Sequence, residues 1–246
     1  MKITDKIIVI TGASSGLGRE TALHLSRLEA HAVLVARSEG RLKEVQSEIK
    51  EITGESPLAV RCDISSEEDV ASMAAKVKEK YDHVDVLINN AGIGNYRVSE
   101  EISNQEMRTH FETNFYGAYY CIKALLPLIK SQGAGYILNI GSLFGKIAFA
   151  DVSVYAATKF ALAGFTEGLR QELKPHGIGV GLLMPGPINT SFQDNRQEGE
   201  RKAPAFITLE PSRVAKVIEK MVQRNKKNVI LPRWMLPFFR ITAALS

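Results

Sequence analysis

A tyrosine and a lysine stand four positions apart in the segment "VYAATKFALAGF", with only small residues between Tyr155 and Lys159. In an α-helix, side chains four positions apart lie on the same face, one turn above the other. An ammonium group held beside a phenol favours the phenolate and lowers the pKa of the phenol from about 10 towards neutrality. The pair could therefore exchange protons near pH 7, although an exposed amphipathic helix would show the same spacing.

A second motif, "TGASSGLG" (11–18), contains the glycines Gly12, Gly16 and Gly18 directly after an apolar segment. Glycines let a backbone approach a pyrophosphate, and a following helix N-terminus offers free N–H groups and a positive dipole. Glycine spacing alone is weak evidence. Its position between the first predicted strand and the first predicted helix favours a dinucleotide site.

The end of the second predicted strand, "VLVARSEG", bears on which dinucleotide would bind. In dinucleotide-binding folds an acidic residue here binds the ribose 2′-hydroxyl of NAD, whereas an arginine accommodates the 2′-phosphate of NADP. In this chain Ala36 is not acidic, and Arg37 follows it. A carboxylate would repel a phosphate, and a guanidinium can hold one with paired hydrogen bonds. The sequence favours NADP over NAD, unless Arg37 is only a cation flanking the next helix.

Short apolar segments and longer segments of helical period alternate along the chain and must position these residues. Strands are predicted at 6–11, 31–36, 57–63, 85–90, 135–140, 179–184 and 228–232, and helices at 16–29, 39–53, 66–80, 104–131, 153–174 and 211–225. The strands are continuously apolar, which is typical of parallel strands buried on both faces. The alternation predicts an α/β fold with a doubly wound parallel sheet, in a single domain over residues 1–246.

Two helix starts carry capping-box patterns, in which a serine is followed three residues later by a glutamate. Ser65 with Glu68 and Ser103 with Glu106 fit this pattern. The sequence therefore predicts Ser65 and Ser103 as the N-caps of the third and fourth helices.

Composition limits the possible classes of protein. The chain has 246 residues, of which 45% are hydrophobic and 24% charged, so it can bury a large core and is not disordered as a whole. The net charge of +4 is modest, and we expect no nucleic-acid partner. The five histidines lack metal-ligand spacing, so no metal is expected.

The expected location is the cytoplasm. The chain has no apolar run of transmembrane length, and its first apolar run is too short for a signal peptide. The two cysteines, Cys62 and Cys121, suggest a reducing compartment more than a disulfide framework.

Two segments stand apart from the alternation of strands and helices. The polar stretch 185–211 contains four prolines, and its part at about 187–210 is predicted to be a functional substrate loop. The tail 231–246 carries three aromatic residues flanked by arginines. Since monomers seldom leave such a patch uncovered, it would contact the substrate entrance, a partner subunit or a membrane surface, without spanning a bilayer.

Together these motifs resemble the short-chain dehydrogenase/reductase family. The resemblance is carried by "TGASSGLG", "NNAG" (89–92), Asn114, Ser142, and Tyr155 with Lys159, in this order and spacing. It runs from about residue 5 to about 192, and more loosely to about 232. It implies a Rossmann-like fold and an NADP(H)-dependent oxidoreductase that interconverts a carbonyl and a secondary alcohol. Leu17 stands where an isoleucine is common, and Pro187 is an additional proline.

The resemblance assigns catalytic roles to four residues. Tyr155 would be the general acid/base, and Lys159 would lower its pKa and donate a hydrogen bond to the nicotinamide ribose. Ser142 would polarise and orient the substrate oxygen. Asn114 would hold a water that relays protons to Lys159.

The resemblance also implies a set of cofactor-binding residues. These are Gly12, Ser14, Ser15, Gly16, Leu17, Gly18, Arg37, Asp63, Ile64, Asn90, Ala91, Gly92, Tyr155, Lys159, Pro185, Gly186, Ile188 and Thr190. Asp63 would lie against the adenine, and Thr190 would hold the nicotinamide carboxamide.

The substrate is less constrained by the sequence. Leu143, Phe144, Phe149, Phe192 and Phe206 favour an apolar substrate, although aromatic residues in loops are as often core fillers. Two alternatives stay open: a 3-oxoacyl-[acyl-carrier-protein] reductase and a non-catalytic NADP-binding regulator. The complete set of catalytic residues argues against the regulator.

The fourth and fifth predicted helices, 104–131 and 153–174, are rich in small and apolar residues. They carry more apolar surface than is needed to cover one face of the sheet. Members of the family that the chain resembles commonly form dimers through these helices. We therefore expect a homodimer or homotetramer.

Overall fold

A computed structural model of the chain describes residues 1–94, 96–190, 192, 207–232 and 234. Seven parallel strands form one sheet in the order β3-β2-β1-β4-β5-β6-β7. The strands are β1 (Ile7–Thr11), β2 (His31–Ala36), β3 (Leu58–Arg61), β4 (Val86–Asn89), β5 (Gly135–Ile140), β6 (Ile178–Pro185) and β7 (Asn228–Leu231). This confirms the predicted doubly wound parallel sheet.

Seven α-helices flank the sheet in the described residues. They are α1 (Gly16–Ser26), α2 (Glu39–Thr53), α3 (Glu67–Lys80), α4 (Asn104–Phe111), α5 (Gly117–Lys130), α6 (Ser153–Leu173) and α7 (Pro211–Gln223). In the described part of the chain, no helix is long and apolar enough to cross a membrane. Most of the predicted apolar tail lies outside the described residues, as does most of the predicted substrate loop.

Strand β1 shows why its sequence is continuously apolar. Its side chains alternate between the two faces of the sheet: Ile8 and Ile10 pack with α1, α2 and α7, whereas Ile7 and Val9 pack with α3, α5 and α6. All four are buried. A strand covered by helices on both faces has no solvated side, so the polar–apolar alternation of a half-exposed strand is absent.

Of the two predicted capping boxes, one is confirmed and one is wrong. Ser103 accepts a hydrogen bond from the Glu106 backbone N–H, and the Glu106 side chain accepts one from the Ser103 backbone. The N-cap of α3 is Ser66, which accepts from the backbone N–H of Asp69 at 3.1 Å. The Ser65 hydroxyl instead donates to Asp63 at 2.7 Å, which draws it away from the helix end.

The long helix predicted at 104–131 is interrupted. A π-helical turn, Glu112–Tyr116, separates α4 from α5. The turn widens the helix at Asn114, whose side chain bonds with the backbone of Ile93 in the loop after β4. Single π turns inside helices occur frequently at functional sites.

The strand order reverses beside β1, because the chain leaves β3 at one edge and returns with β4 on the opposite side of β1. In open α/β sheets, ligands bind in the crevice outside the carboxyl ends of the strands at such a reversal. The loops that follow β1 and β4 therefore mark the expected binding site.

Candidate active site

A cleft of about 830 Å³ opens at the carboxyl ends of the strands. The residues that follow β1 to β6 line it, among them Gly12, Arg37, Cys62, Asn90, Gly141 and Gly186. One sheet edge thus gathers residues that are far apart in the sequence.

Hydrogen bonds between Thr11 and the turn after β4 fix the floor of the cleft. The Thr11 hydroxyl accepts from the backbone N–H groups of Asn90 and Ala91 at 3.0 and 3.1 Å. The Asn90 amide donates to the Thr11 carbonyl at 2.9 Å. The glycine motif and "NNAG" therefore form one rigid unit.

The glycine turn has no room for side chains. A Cβ on Gly18 would lie 2.2 Å from the Gly12 carbonyl oxygen, and one on Gly12 would lie 2.9 Å from the Cα of Ala91. A Cβ on Gly16 would lie 3.2 Å from the Thr190 side chain, so the segment after β6 passes directly over the turn. Gly12 and Gly16 also have positive φ, which favours glycine. This cradle at the start of α1 fits a dinucleotide pyrophosphate.

Arg37, the cation predicted for the adenosine end, lies where β2 finishes, beside the end of β3. Arg37 approaches the Asp63 carboxylate at 4.0 Å, and 66% of its side chain is exposed. Sequence reasoning missed Arg41, which lines the same end of the cleft and donates from Nε to the Ser38 hydroxyl at 3.2 Å. Its position in the first turn of α2, directly after the strand end that carries Arg37, could have indicated it.

The catalytic candidates lie at the other end of the cleft. Ser142 follows β5, and Tyr155 and Lys159 project from the first turns of α6; all three line the cleft and are buried. The Lys159 Nζ lies 5.7 Å from the centroid of the Tyr155 ring and donates to the Ile140 carbonyl at 3.2 Å. The predicted one-face arrangement of the pair is therefore present.

The predicted lowering of the Tyr155 pKa is wrong for this structure. Burial raises the pKa of Tyr155, the nearby Tyr96 phenol raises it further, and a hydrogen bond with Ser142 lowers it only in part. Burial also lowers the pKa of Lys159, to about 8. The Lys159 ammonium is directed to a carbonyl as well as to the tyrosine, and both groups are removed from water, so the cost of burying charge dominates.

Asn114 lies behind the cleft and connects two elements. Its amide donates to the Ile93 carbonyl at 2.9 Å and to the Thr158 hydroxyl at 3.1 Å, and its oxygen accepts from the Ile93 N–H at 2.8 Å. A Cβ on Gly92 would lie 3.0 Å from the Asn114 oxygen and 3.6 Å from the Lys159 Nζ. Asn114 and Lys159 therefore flank the same glycine.

The structure gathers nearly all of the predicted site residues. Those that line the cleft are Gly12, Ser14, Ser15, Gly16, Leu17, Arg37, Asp63, Ile64, Asn90, Ala91, Gly92, Ser142, Tyr155, Lys159, Pro185, Gly186, Ile188 and Thr190. Gly18 and Asn114 support the cleft from behind. Of the predicted substrate residues, Leu143, Phe144, Phe149 and Phe192 line it, and Phe206 lies outside the described residues.

The family profile described as short chain dehydrogenase matches residues 6–201. The chain belongs to the short-chain dehydrogenase/reductase family. The matched range includes every residue proposed for cofactor binding and catalysis, and the family is one of NAD(P)-dependent oxidoreductases.

Known proteins similar to this dehydrogenase include a zebrafish (Danio rerio) protein named dehydrogenase/reductase SDR family member 7B. It is 37% identical over 243 residues, which cover 93% of this chain and 78% of the relative. A short-chain dehydrogenase/reductase from Burkholderia phymatum in complex with NAD is similar in structure, with a TM-score of 0.89, 25% identity, and coverage of 99% of this chain and 95% of that one.

A second similar structure is L-sorbose reductase from Gluconobacter frateurii in complex with NADPH and L-sorbose. The TM-score is 0.84, the identity 26%, and the match covers 94% of this chain and 97% of that one. Since these structures hold NAD in one case and NADPH in the other, they support a nicotinamide cofactor for this dehydrogenase without choosing between the two dinucleotides.

Proposed function

We propose that this short-chain dehydrogenase uses NADP(H) to interconvert an apolar carbonyl compound and the corresponding secondary alcohol. The observation that carries the proposal is that Ser142, Tyr155 and Lys159 share one cleft with the glycine cradle. This arrangement provides a proton-transfer group beside the place where a dinucleotide fits.

The chain's own residues would perform the proton transfer, while the bound nicotinamide supplies or accepts the hydride. The Tyr155 phenol is protonated at neutral pH, as a phenol ordinarily is, and can donate its proton to a carbonyl oxygen during reduction. The Ser142 hydroxyl would orient that oxygen. Lys159 would hold the nicotinamide ribose and take part in returning a proton to Tyr155.

Asn114 would support this proton path from behind the cleft. Its carboxamide is held by the Ile93 backbone and Thr158, which keeps the loop after β4 against α6. A water held at this position would relay protons to Lys159, which lies beside the same Gly92.

The preference for NADP is supported at the adenosine end. Ala36 leaves no carboxylate to repel a 2′-phosphate, and Arg37 offers a mostly exposed guanidinium. Arg41 and the Ser38 hydroxyl add further donors to the same end of the cleft. Such a group of donors suits a dianionic phosphate better than a ribose hydroxyl.

The proposed function is tested with Tyr155→Phe, which removes the proton donor and little else. We expect kcat for carbonyl reduction to fall by about 10²–10⁴-fold, because general acid catalysis contributes about that much. NADPH affinity, measured by fluorescence titration, should be retained. Tyr81→Phe, at the end of α3 and outside the cleft, is the matched control and should keep full activity.

More than about a tenth of wild-type turnover in Tyr155→Phe would contradict the assignment. The substrate panel should contain simple apolar ketones and a 3-oxoacyl thioester. Turnover of the thioester alone would favour the acyl-carrier-protein reductase, and NADPH binding without turnover of any carbonyl would favour the regulator.

Two further features complete the proposal. A homodimer or homotetramer is supported by three exposed aromatic side chains: Tyr116 in the π turn before α5, Tyr119 on α5 and Phe160 on α6. A cytoplasmic location is supported by Cys62 and Cys121, which are both buried as free thiols.

A further inference from the structure

Among the described residues, four aromatic side chains line the cleft around the ring of Tyr155. We call these four, Tyr96, Phe144, Phe149 and Phe192, the aromatic enclosure. Ring centroids lie 5.9 Å from Tyr155 for Tyr96, 6.1 Å for Phe144 and 6.3 Å for Phe192. Phe149 lies 6.2 Å from Phe144 and is 60% exposed, so it stands at the mouth. Rings therefore form a continuous wall from the solvent to the proposed proton donor.

Charge is distributed unevenly along the cleft. Among the described residues that line it, the charged side chains are Arg37, Arg41, Asp63 and Lys159. The first three lie at the ends of β2 and β3, and Lys159 belongs to the catalytic group. Beside the aromatic enclosure the described lining is apolar, including Ile93, Leu143 and Ile147, apart from the hydroxyls of Ser142 and the tyrosines.

Gly94 provides the space for one wall of the enclosure. A Cβ on Gly94 would lie 2.8 Å from two ring atoms of Phe192 and 3.5 Å from the Tyr96 ring. The Phe192 ring thus rests directly on the backbone of the loop after β4. Any side chain at position 94 would push this ring towards Tyr155 or away from it.

We propose that the aromatic enclosure makes this dehydrogenase selective for uncharged carbonyl compounds that carry an aromatic ring within one or two bonds of the carbonyl carbon. The inference rests on the proposed function and adds the substrate class. Aromatic rings gain stability from offset-stacked or edge-to-face contacts at centroid distances of about 4.5–7 Å, beyond the burial of apolar area. A saturated ring gains only the burial. The cation that lines this end of the cleft, Lys159, donates to the Ile140 carbonyl and lies beside Tyr155. A carboxylate on the substrate's ring, held among the aromatic side chains, would be buried away from it, at a large cost.

The test compares benzyl methyl ketone with cyclohexylmethyl methyl ketone, which share the same carbonyl group and differ in the aromaticity of the ring. For the wild-type holoenzyme we expect kcat/KM to favour the aromatic ketone by about 3- to 10-fold, the value of one to two ring contacts. A para-carboxylate on the same ring should lower kcat/KM by at least about 100-fold.

Phe144→Leu and Phe192→Leu should each bring the aromatic-to-saturated ratio close to one while turnover continues. Phe160→Leu is the matched control, because Phe160 lies exposed on α6 outside the cleft and its loss should leave the ratio unchanged. Gly94→Ala should raise KM for the aromatic ketone several-fold without changing NADPH affinity. Its control is Gly164→Ala, where a Cβ meets nothing within 4 Å.

The inference is overturned if the wild-type enzyme reduces both ketones equally well or accepts the carboxylated ketone. If no carbonyl is reduced at all, the proposed function fails instead. In that case the dissociation constants of the two ketones for the NADPH-loaded protein, measured by calorimetry, still test the inference. Tighter binding of the aromatic ketone that is lost in Phe144→Leu supports it. Equal binding of the two ketones rejects it.

Discussion

Tyr155 and Lys159 show how burial can outweigh a neighbouring charge. Sequence spacing alone suggests an ammonium that lowers the phenol pKa, but both groups are about 95% buried and their pKa values move in the directions that disfavour charge. A neutral tyrosine is the form that donates a proton to a carbonyl. Burial therefore keeps the phenol protonated and at the same time makes it a weaker acid.

The buried lysine has a consequence for stability that can be measured. Burial lowers the pKa of Lys159 in the folded protein to about 8, from the ordinary lysine pKa of 10.5. Between these two pH values the unfolded chain therefore binds more protons than the folded one. The free energy of unfolding of the cofactor-free protein should therefore rise with pH across this window, by about 2 kcal/mol from about pH 7.5 to 9.5. Lys159→Met should remove that contribution, as measured by urea unfolding at both pH values.

The two buried thiols lower the stability as the pH rises, which is opposite to the effect of Lys159. Because they do so equally in wild type and in Lys159→Met, the difference between the two proteins isolates the contribution of Lys159. Burial raises the pKa of Cys62 to about 12, and it also raises that of Cys121, so their contribution to stability falls as the unfolded thiols ionise. An identical pH dependence in wild type and Lys159→Met would show that Lys159 is not buried as described.

Cofactor choice is also decided by single residues. Ala36→Asp would place a carboxylate where the 2′-phosphate of NADP is proposed to bind. Arg37→Ala would remove the guanidinium proposed to bind that phosphate. Each change should lower the preference for NADPH over NADH by about 10-fold or more, as expected for a charged hydrogen bond. Dissociation constants from fluorescence titration provide the measurement, with exposed Arg108→Ala on α4 as the control. Equal wild-type affinity for both cofactors would contradict the role of Arg37.

At the level of elements, the close packing of α1 against the loops after β1 and β4 makes Gly18 indispensable. Alanine normally stabilises a helix relative to glycine by about 0.5–1 kcal/mol. At Gly18 the added Cβ would lie 2.2 Å from the Gly12 oxygen and 2.5 Å from the Asn90 amide. We expect Gly18→Ala to destabilise the protein by about 1–3 kcal/mol, seen as a lower urea midpoint, and to weaken cofactor binding.

Gly40→Ala in α2 is the matched control, because its Cβ would meet nothing within 4 Å. It should be neutral or slightly stabilising. Equal urea midpoints for the two variants would mean that the turn can relax and that the glycine is not required by packing.

The elements were predictable from sequence where one physical cause dominates. Burial on both faces makes parallel strands continuously apolar, so all seven were found. The start of α3 was misplaced by one residue, because Asp63 competes for the Ser65 hydroxyl through a contact that periodicity does not encode. The π turn at Asn114 was missed for a similar reason, since it depends on the Ile93 backbone in another element. Arg41 joins the cleft only through the fold.

At the level of the whole molecule, the π turn before α5, α5 itself and α6 carry exposed aromatic side chains. Tyr116, Tyr119 and Phe160 are 41%, 39% and 45% exposed, and Tyr119 lies 5.9 Å from the ring of Phe165 on the neighbouring helix. Exposed aromatic side chains are enriched at protein–protein contacts.

We expect light scattering at micromolar concentration to give a mass at least twice the 27.1 kDa of the chain. Tyr119→Glu should shift the population towards the monomer, because a charge in an apolar contact is costly to desolvate. Ile52→Glu, at an equally exposed apolar position on α2, is the control and should not change the mass. A wild-type monomer would refute the contact.

The strand order also has a consequence for synthesis. β1 emerges first, β2 and β3 extend the sheet on one side, and β4 to β7 then extend it on the other, each beside a strand already made. No strand has to insert between two paired neighbours, so the sheet can grow by addition at its edges while the ribosome is still translating. The cradle for the dinucleotide is encoded before residue 93, and the catalytic helix follows β5. The glycine cradle is therefore synthesised before the catalytic helix, and the segment after β6 that passes over the cradle is synthesised after both.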